Sequence, residues 1–240
     1  MNHDMNLLID GCSLMGIEID NKKVSQFQRY LSLLLEWNEK FNLTAITDPK
    51  EVIIQHFLDA ISILKLDFMK DGLAILDMGT GAGFPGVPIK IMLPKTKLIL
   101  VDSVNKKTVF LKELVKELNL DMVEIIHARA EDLGREPTRR ETYDVVVSRA
   151  VAELRVLLEY CLPFVKVNGC FVSYKGPGAT DEVDNSKKAI KLLGGKEAVI
   201  EQVSVPYSDR THMLVITKKV LKTPKEYPRT AGKPKKLPLA

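Results

Sequence analysis

The feature that most constrains the fold is an alternation that begins after Asp71-Gly72. From there, short apolar runs take turns with longer stretches of helical spacing. Strands are predicted over residues 74–77, 97–102, 123–127, 144–148 and 170–174, and helices over 85–93, 106–118, 153–165 and 181–193. Such a chain builds a parallel sheet with helices on both faces, because each parallel return needs a crossover long enough to hold a helix. The last two strands, over 198–203 and 213–217, have only a loop between them, which suits an antiparallel hairpin. The expected architecture is α/β and Rossmann-like, a mostly parallel sheet of seven strands with an antiparallel last strand.

Ahead of the sheet the first 70 residues read as a helical cap. Val24, Phe27, Leu31, Leu34, Leu35 and Trp37 recur at helical spacing, and Asn21 or Ser25 is the expected cap of that helix. Asp48-Pro49 interrupts the pattern, and Ile53, Ile54, Phe57, Leu58, Ile61 and Leu64 resume it. Residues 1–70 are thus assigned to the cap, 71–218 to the core and 219–240 to a tail. With 240 residues, 45% hydrophobic and 28% charged, the chain suits one medium domain and neither a disordered nor a membrane protein. The N-terminus lacks the basic and apolar regions of a signal peptide. No apolar run reaches the roughly 18 residues of a membrane span, so a cytoplasmic protein is expected. Cys12, Cys161 and Cys170 show no zinc-ligand spacing and read as idle thiols; no metal site is expected.

Charge is unevenly spread. Between residues 218 and 240, Lys218, Lys219, Lys222, Lys225, Arg229, Lys233, Lys235 and Lys236 face one acid, Glu226. Prolines 224, 228, 234 and 238 bar a continuing helix. The tail therefore reads as a mobile or extended basic arm of the kind that favours nucleic acid.

Chemistry concentrates at the strand ends. Asp77-Met78-Gly79-Thr80-Gly81-Ala82-Gly83 links the first strand to its helix, and glycines there let the backbone approach a ligand. Gly81, Gly83 and Gly86 formally match a dinucleotide fingerprint, a weak signal alone. Pro85 and Pro88 flank Gly86, however, and Asp77 ends the strand; an acid directed into the pocket suits the cationic S-adenosylmethionine better than a pyrophosphate. Asp102 closes the second strand where an acid holds ribose hydroxyls. Ala128-Arg129-Ala130-Glu131-Asp132 follows the third strand, where the adenine edge is read, unless Glu131-Asp132 simply caps a following turn. Ser148-Arg149-Ala150 ends the fourth, facing the reacting centre. The Asn/Asp-Pro-Pro-aromatic quartet of exocyclic-amine methylation is missing there. A ring nitrogen with an in-plane lone pair needs no such group, and Arg149 suits a carboxylate, phosphate or guanine edge.

These residues resemble a known family. Asp77 to Gly86, Val101-Asp102-Ser103, Ser148-Arg149-Ala150, Lys175-Gly176, Trp37-Asn38 with Phe41-Asn42-Leu43-Thr44, and His56-Phe57-Leu58-Asp59 are similar to motifs of the bacterial small-subunit ribosomal RNA guanine-N7 methyltransferases, the glucose-inhibited division protein B family. The likeness spans roughly residues 17–218. It implies a monomeric class I methyltransferase that uses S-adenosylmethionine to methylate N7 of one guanine in the decoding-region hairpin, on free ribosomal RNA or on the particle. It implies that Gly79 and Phe84 line the methionine and ribose end, Ala130 and Glu131 the adenine, and Arg149 the junction of cofactor and acceptor. Asn42, His56, Lys175, Arg210 and His212 would face the RNA. The rival readings are a nucleotide-dependent oxidoreductase, a non-catalytic RNA-binding module and a small-molecule methyltransferase. The prolines of the loop weigh against the first, retained RNA binding without cofactor binding would support the second, and the basic tail and Lys175 fit the third less well.

Overall fold

The computed structural model describes residues 5–239; residues 1–4 of the expected cap and residue 240 of the expected tail lie outside the described residues. A seven-stranded sheet runs in the order β3-β2-β1-β4-β5-β7-β6. Its strands are β1 (Ala74–Met78), β2 (Lys97–Asp102), β3 (Val123–His127), β4 (Tyr143–Arg149), β5 (Val165–Lys175), β6 (Val199–Val203) and β7 (His212–Lys218). Strands β3, β2, β1, β4 and β5 are mutually parallel, and β7 runs antiparallel to both of its neighbours. The order reverses between β1 and β4, and a crevice opens at the carboxyl ends of strands where it does so.

The helices between strands are α5 (Gly86–Met92), α6 (Asn105–Glu117), α7 (Ala130–Leu133), α8 (Leu154–Cys161), α9 (Ala179–Asp184) and α10 (Lys187–Leu192). Two differ from the periodicity. The helix expected over 153–165 ends at Cys161, because Pro163 cannot supply an N–H to continue it; β5 then starts at Val165 rather than at 170. The helix expected over 181–193 breaks at Asn185-Ser186 into α9 and α10.

Before the sheet come α1 (Asn6–Leu14), α2 (Asn21–Phe41), α3 (Pro49–Val52) and α4 (Asp59–Ile61). Asp20, rather than Asn21 or Ser25, caps α2, accepting from the Lys23 N–H at 2.8 Å. Asp48 caps α3 with Pro49 in the first turn. Between α3 and α4 the chain stays helical but widens into a π-helical turn over Ile53–Leu58, a local distortion frequent at functional sites. The cap does not form a core of its own. Phe27, Tyr30 and Phe57 pack with Phe84, Phe110 and Leu111 on one face of the sheet, while α8 and α10 cover the other. Cys12 and Cys161 are buried and Cys170 half-buried, and burial raises all three thiol pKa values.

The tail corrects an expectation: it is a packed strap, not a mobile arm. Arg229 grips the fully buried carboxylate of Glu159 on α8, with Nε–Oε1 at 2.9 Å and Nη2–Oε2 at 2.6 Å. Arg140 donates to the carbonyls of Tyr227, Thr223 and Pro224 at 2.6, 3.1 and 3.3 Å. Lys219 is fully buried against the Leu162 carbonyl at 2.6 Å and Glu141 at 3.2 Å. Pro228 and Pro234 are buried, and α11 (Lys233–Lys236) ends the strap. Prolines prevented a long helix, but a chain stiffened by proline also loses less entropy on docking. Arg229→Ala leaves Glu159 buried without its counter-charge. It is expected to cost about 3 kcal/mol, read as a lower denaturant midpoint; an unchanged midpoint would show that this pair does not hold the strap.

Candidate active site

The glycine loop after β1 is shaped by what lies beneath it. Gly79 and Gly83 sit at φ +72° and +103°, a region that favours glycine. A Cβ on Gly79 would come within 2.5 Å of Val151, and one on Gly83 within 2.7 Å of the Tyr30 hydroxyl. Tyr30 reaches up from α2 to donate to the Ala82 carbonyl at 2.6 Å, so the cap pins the loop. Asp77 is placed differently from the expectation that it points into the pocket. It is fully buried under the loop, where one oxygen accepts from Thr80 Oγ1 at 2.7 Å and from the Gly86 N–H at 2.8 Å. Its place in the structure is to frame the loop, and it lines neither of the two cavities above it.

Two cavities open above. One, about 400 Å³, is walled by Gly79, Gly81, Phe84, His56, Arg149 and Thr44 among others. The second, about 330 Å³, is walled by Ala128, Ala130, Glu131, Tyr160, Gly232 and Lys235. They share Gly79, Asp102, Ser103 and Val151. Surface cavities of about 650 and 740 Å³ lie beside α1 and α2 and contain none of the loop residues. Asp102 stands at the junction. Its Oδ2 accepts from the Gly81 N–H at 2.9 Å and its Oδ1 from the Val104 N–H at 2.8 Å, so each oxygen keeps acceptor capacity. Gly83, by contrast, is packed below the loop and lines neither cavity.

Arg149 closes the first cavity. Its Nη1 donates to Asp59 Oδ2 at 2.6 Å and to the Gln55 carbonyl at 3.0 Å, and its Nη2 lies 3.0 Å from His56 Nδ1. The guanidinium carbon lies 5.1 Å from the centre of the Phe84 ring. His56 stacks on the same ring, centroids 4.6 Å apart, with Nε2 2.9 Å from Thr44 Oγ1. Burial, then the charge of Arg149, lowers the His56 pKa to about 3, so the ring is neutral. A neutral ring bonded in this way accepts from Arg149 at Nδ1 and donates from Nε2 to Thr44. Burial alone would raise the pKa of Asp59; the hydrogen bond from His212 and the charge of Arg149 outweigh it and hold the carboxyl below its ordinary value. On the far side His212 Nδ1 lies 2.8 Å from Asp59 Oδ1, and His212 Nε2 lies 2.8 Å from Ser208 Oγ.

The residues expected to face RNA are therefore split. His56 and His212 belong to the network that holds Arg149. Lys175 is also committed: Nζ donates to Glu182 at 2.7 Å and to the Ala152 carbonyl at 2.9 Å, and Glu182 accepts from the Leu154 N–H at 2.6 Å. Lys175 thus fastens the loop that carries Val151, with two of its three N–H donors engaged within the protein. Asn42 and Arg210 are exposed, Asn42 as the left-handed end of α2. Glu131 is buried, with Oε1 accepting from the Gly232 N–H at 2.9 Å. Sequence reasoning missed Tyr30, Tyr160, Glu182 and Lys235; Asp59 stood in the His56-Phe57-Leu58-Asp59 motif and carried that signal. Among the described residues no group of three or more His, Cys, Asp or Glu could hold a metal ion, and no helix is long and apolar enough to cross a membrane.

Comparison with known proteins agrees with this fold. The fold resembles a putative methyltransferase from Haloferax volcanii solved with the Trm112 activator, at TM-score 0.58 and 13% identity over 78% of this chain and 98% of that one. It also resembles a SAM dependent methyltransferase from Aquifex aeolicus, at TM-score 0.54 and 21% identity over 73% and 96%. At these identities the likeness shows the fold alone. Relatives named Ribosomal RNA small subunit methyltransferase G are far nearer. That of Acetivibrio thermocellus is 51% identical over 97% of this chain and 96% of its own, and that of Alkaliphilus metalliredigens 50% over 97% and 98%. Residues 23–213 match the family described as GidB, rRNA small subunit methyltransferase G. The chain belongs to that family.

Proposed function

We propose that this chain uses S-adenosylmethionine to methylate N7 of a guanine in the decoding-region hairpin of small-subunit ribosomal RNA. The observation that carries the reading is the junction at Asp102, where two cavities meet beside the Arg149–His56–Phe84 platform. The donor set fits the cofactor. Asp102 offers free acceptor capacity to two ribose hydroxyls, Gly79 and Gly81 admit a close backbone approach, and Ala130 borders the compartment left for the adenine. When bound, the cofactor supplies a methyl group on a positively charged sulfur.

The residues of the chain have then to hold and dehydrate the acceptor. Guanine N7 carries an in-plane lone pair, so no base is required, and none stands ready. His56 is neutral with its accepting nitrogen turned to Arg149, and Asp59 is ionised but bonded to Arg149 and His212. The contacts of Arg149 leave its Nε–H and one Nη2–H for the O6 edge of a guanine. Phe84 supplies an aromatic face beside it. A flipped-out guanine held here is positioned and desolvated, which is the catalysis that a ready nucleophile needs. Asn42, Arg210 and the exposed lysines of the strap offer contacts to the RNA backbone. The reading carries with it a monomer that works in the cytoplasm, on free RNA or on the particle.

The direct test is to map N7-methylguanine in small-subunit RNA from cells lacking the protein; an unchanged map refutes the reading. Arg149→Ala is expected to lower the methylation rate at saturating cofactor by about a hundredfold. It should also lower the melting temperature, because Asp59 loses a buried partner. A native rate in that variant removes Arg149 from the chemistry. Asp102→Ala should weaken binding of S-adenosylmethionine about tenfold or more by calorimetry. Equal affinity counts against ribose binding there. Asp77 gives a pH signature. Burial lifts its pKa from 3.8 to about 7, against the hydrogen bonds of Thr80 and Gly86. Its contribution to stability is complete below the unfolded value and is lost as pH rises toward about 7. Asp77→Asn keeps an acceptor but cannot ionise, so it should gain stability relative to the native chain as pH climbs from about 4 to 7. Midpoints that differ by a constant amount across that range would contradict the assignment.

A further inference from the structure

The basic strap is both an anchored segment and a charged surface, and its course gives it a third place. Two buried anchors hold it on the α8 side of the sheet: Lys219 against Glu141 and Leu162, and Arg229 against Glu159. Beyond Arg229 the chain turns at Gly232, whose φ of +81° favours glycine, and enters α11. There Gly232 and Lys235 become lining residues of the 330 Å³ cavity, opposite Asp102 and Ala130. The Gly232 N–H donates to Glu131 Oε1 at 2.9 Å, so the strap also fixes the carboxylate expected at the adenine. Tyr160, which lines the same cavity as Glu131, stands on α8 next to Glu159, the residue that Arg229 grips.

We propose that residues 230–236 of the strap form the outer wall of the adenine compartment, with Gly232 and Lys235 as cofactor-positioning residues. The proposal rests on the S-adenosylmethionine reading. With the ribose on Asp102 and the methionine end beside Gly79 and Phe84, the base falls in the cavity that the strap closes. The wall is held from outside by Arg229 and from inside by Glu131, so it can be removed without touching the sheet. It would enclose the base and shield it from water, and neither Gly232 nor Lys235 lines the cavity of Arg149. Its loss should therefore weaken cofactor binding.

The test compares the full chain with a chain ending at Arg229, which keeps the pair with Glu159. The truncated chain should bind S-adenosylmethionine and S-adenosylhomocysteine about tenfold more weakly by calorimetry in the absence of RNA. In the full chain, saturating S-adenosylhomocysteine should slow amide hydrogen exchange over residues 230–236 by severalfold. Affinity within about twofold of the full chain overturns the proposal, and so does tighter binding, which would make the strap a competitor for the site. Should the truncated chain fail to fold, the exchange experiment decides alone; unchanged exchange over 230–236 overturns the wall. A full chain that binds neither ligand refutes the cofactor reading itself.

Discussion

The site depends on one buried ion pair, Arg149 with Asp59, between residues 90 positions apart. Taking two such charges out of water costs several kcal/mol each, and their attraction offsets this only when the remaining hydrogen bonds are made. Here they are. Asp59 is also met by His212, and Arg149 by the Gln55 carbonyl and His56. The pair joins the end of β4 to the cap where the π-helical turn passes into α4; the turn presents Gln55 and His56 toward the strand, and Asp59 is the first residue of α4. The cap and the crevice of the sheet are thereby one body. Tyr30 ties them a second time, to the glycine loop.

That linkage explains how a site without a base can still be specific. Every titratable group near the acceptor position is committed within the protein before substrate arrives: His56 to Arg149 and Thr44, Asp59 to Arg149 and His212. Desolvation, which pushes the His56 pKa to about 3, removes the proton that a shuttle would use. Such an arrangement suits attack by a lone pair already present and disfavours acceptors that must first lose a proton. The quartet missing after β4 and the neutral state of His56 are two signs of the same economy.

The parts legible in the sequence were those set by local periodicity or by backbone need. Alternation of short and long apolar stretches specified the sheet and even its antiparallel last strand, and the glycine spacing marked a loop whose φ values exclude most other residues. Illegible parts share a different property: each turns on a partner far away in the chain. Lys175 reads as a phosphate ligand until Glu182 is seen against it, and Arg229 reads as a solvated tail charge until Glu159, 70 positions back, is found buried beneath it. Asp77 was recognised as important, yet the direction of its side chain was not recoverable. In a strand, neighbouring residues point to opposite faces, but near its end a bend of the loop decides whether an acid faces ligand or backbone.

Counting charges in the tail treats eight cations as equivalent, and the fold separates them by burial. Lys219 and Arg229 are drawn into carboxylates, and burial lowers the Lys219 pKa to about 8. Lys218, Lys222, Lys225, Lys233, Lys235 and Lys236 remain exposed. The two groups must respond differently to ionic strength. Buried pairs are little screened, whereas attraction of exposed lysines to phosphate depends on counterion release and falls steeply with salt. The anchors therefore keep the strap in place under conditions that strip RNA from it. An arm held only by its exposed charges would lose position and partner together, and two carboxylates, the half-buried Glu141 and the fully buried Glu159, are what keep those events apart.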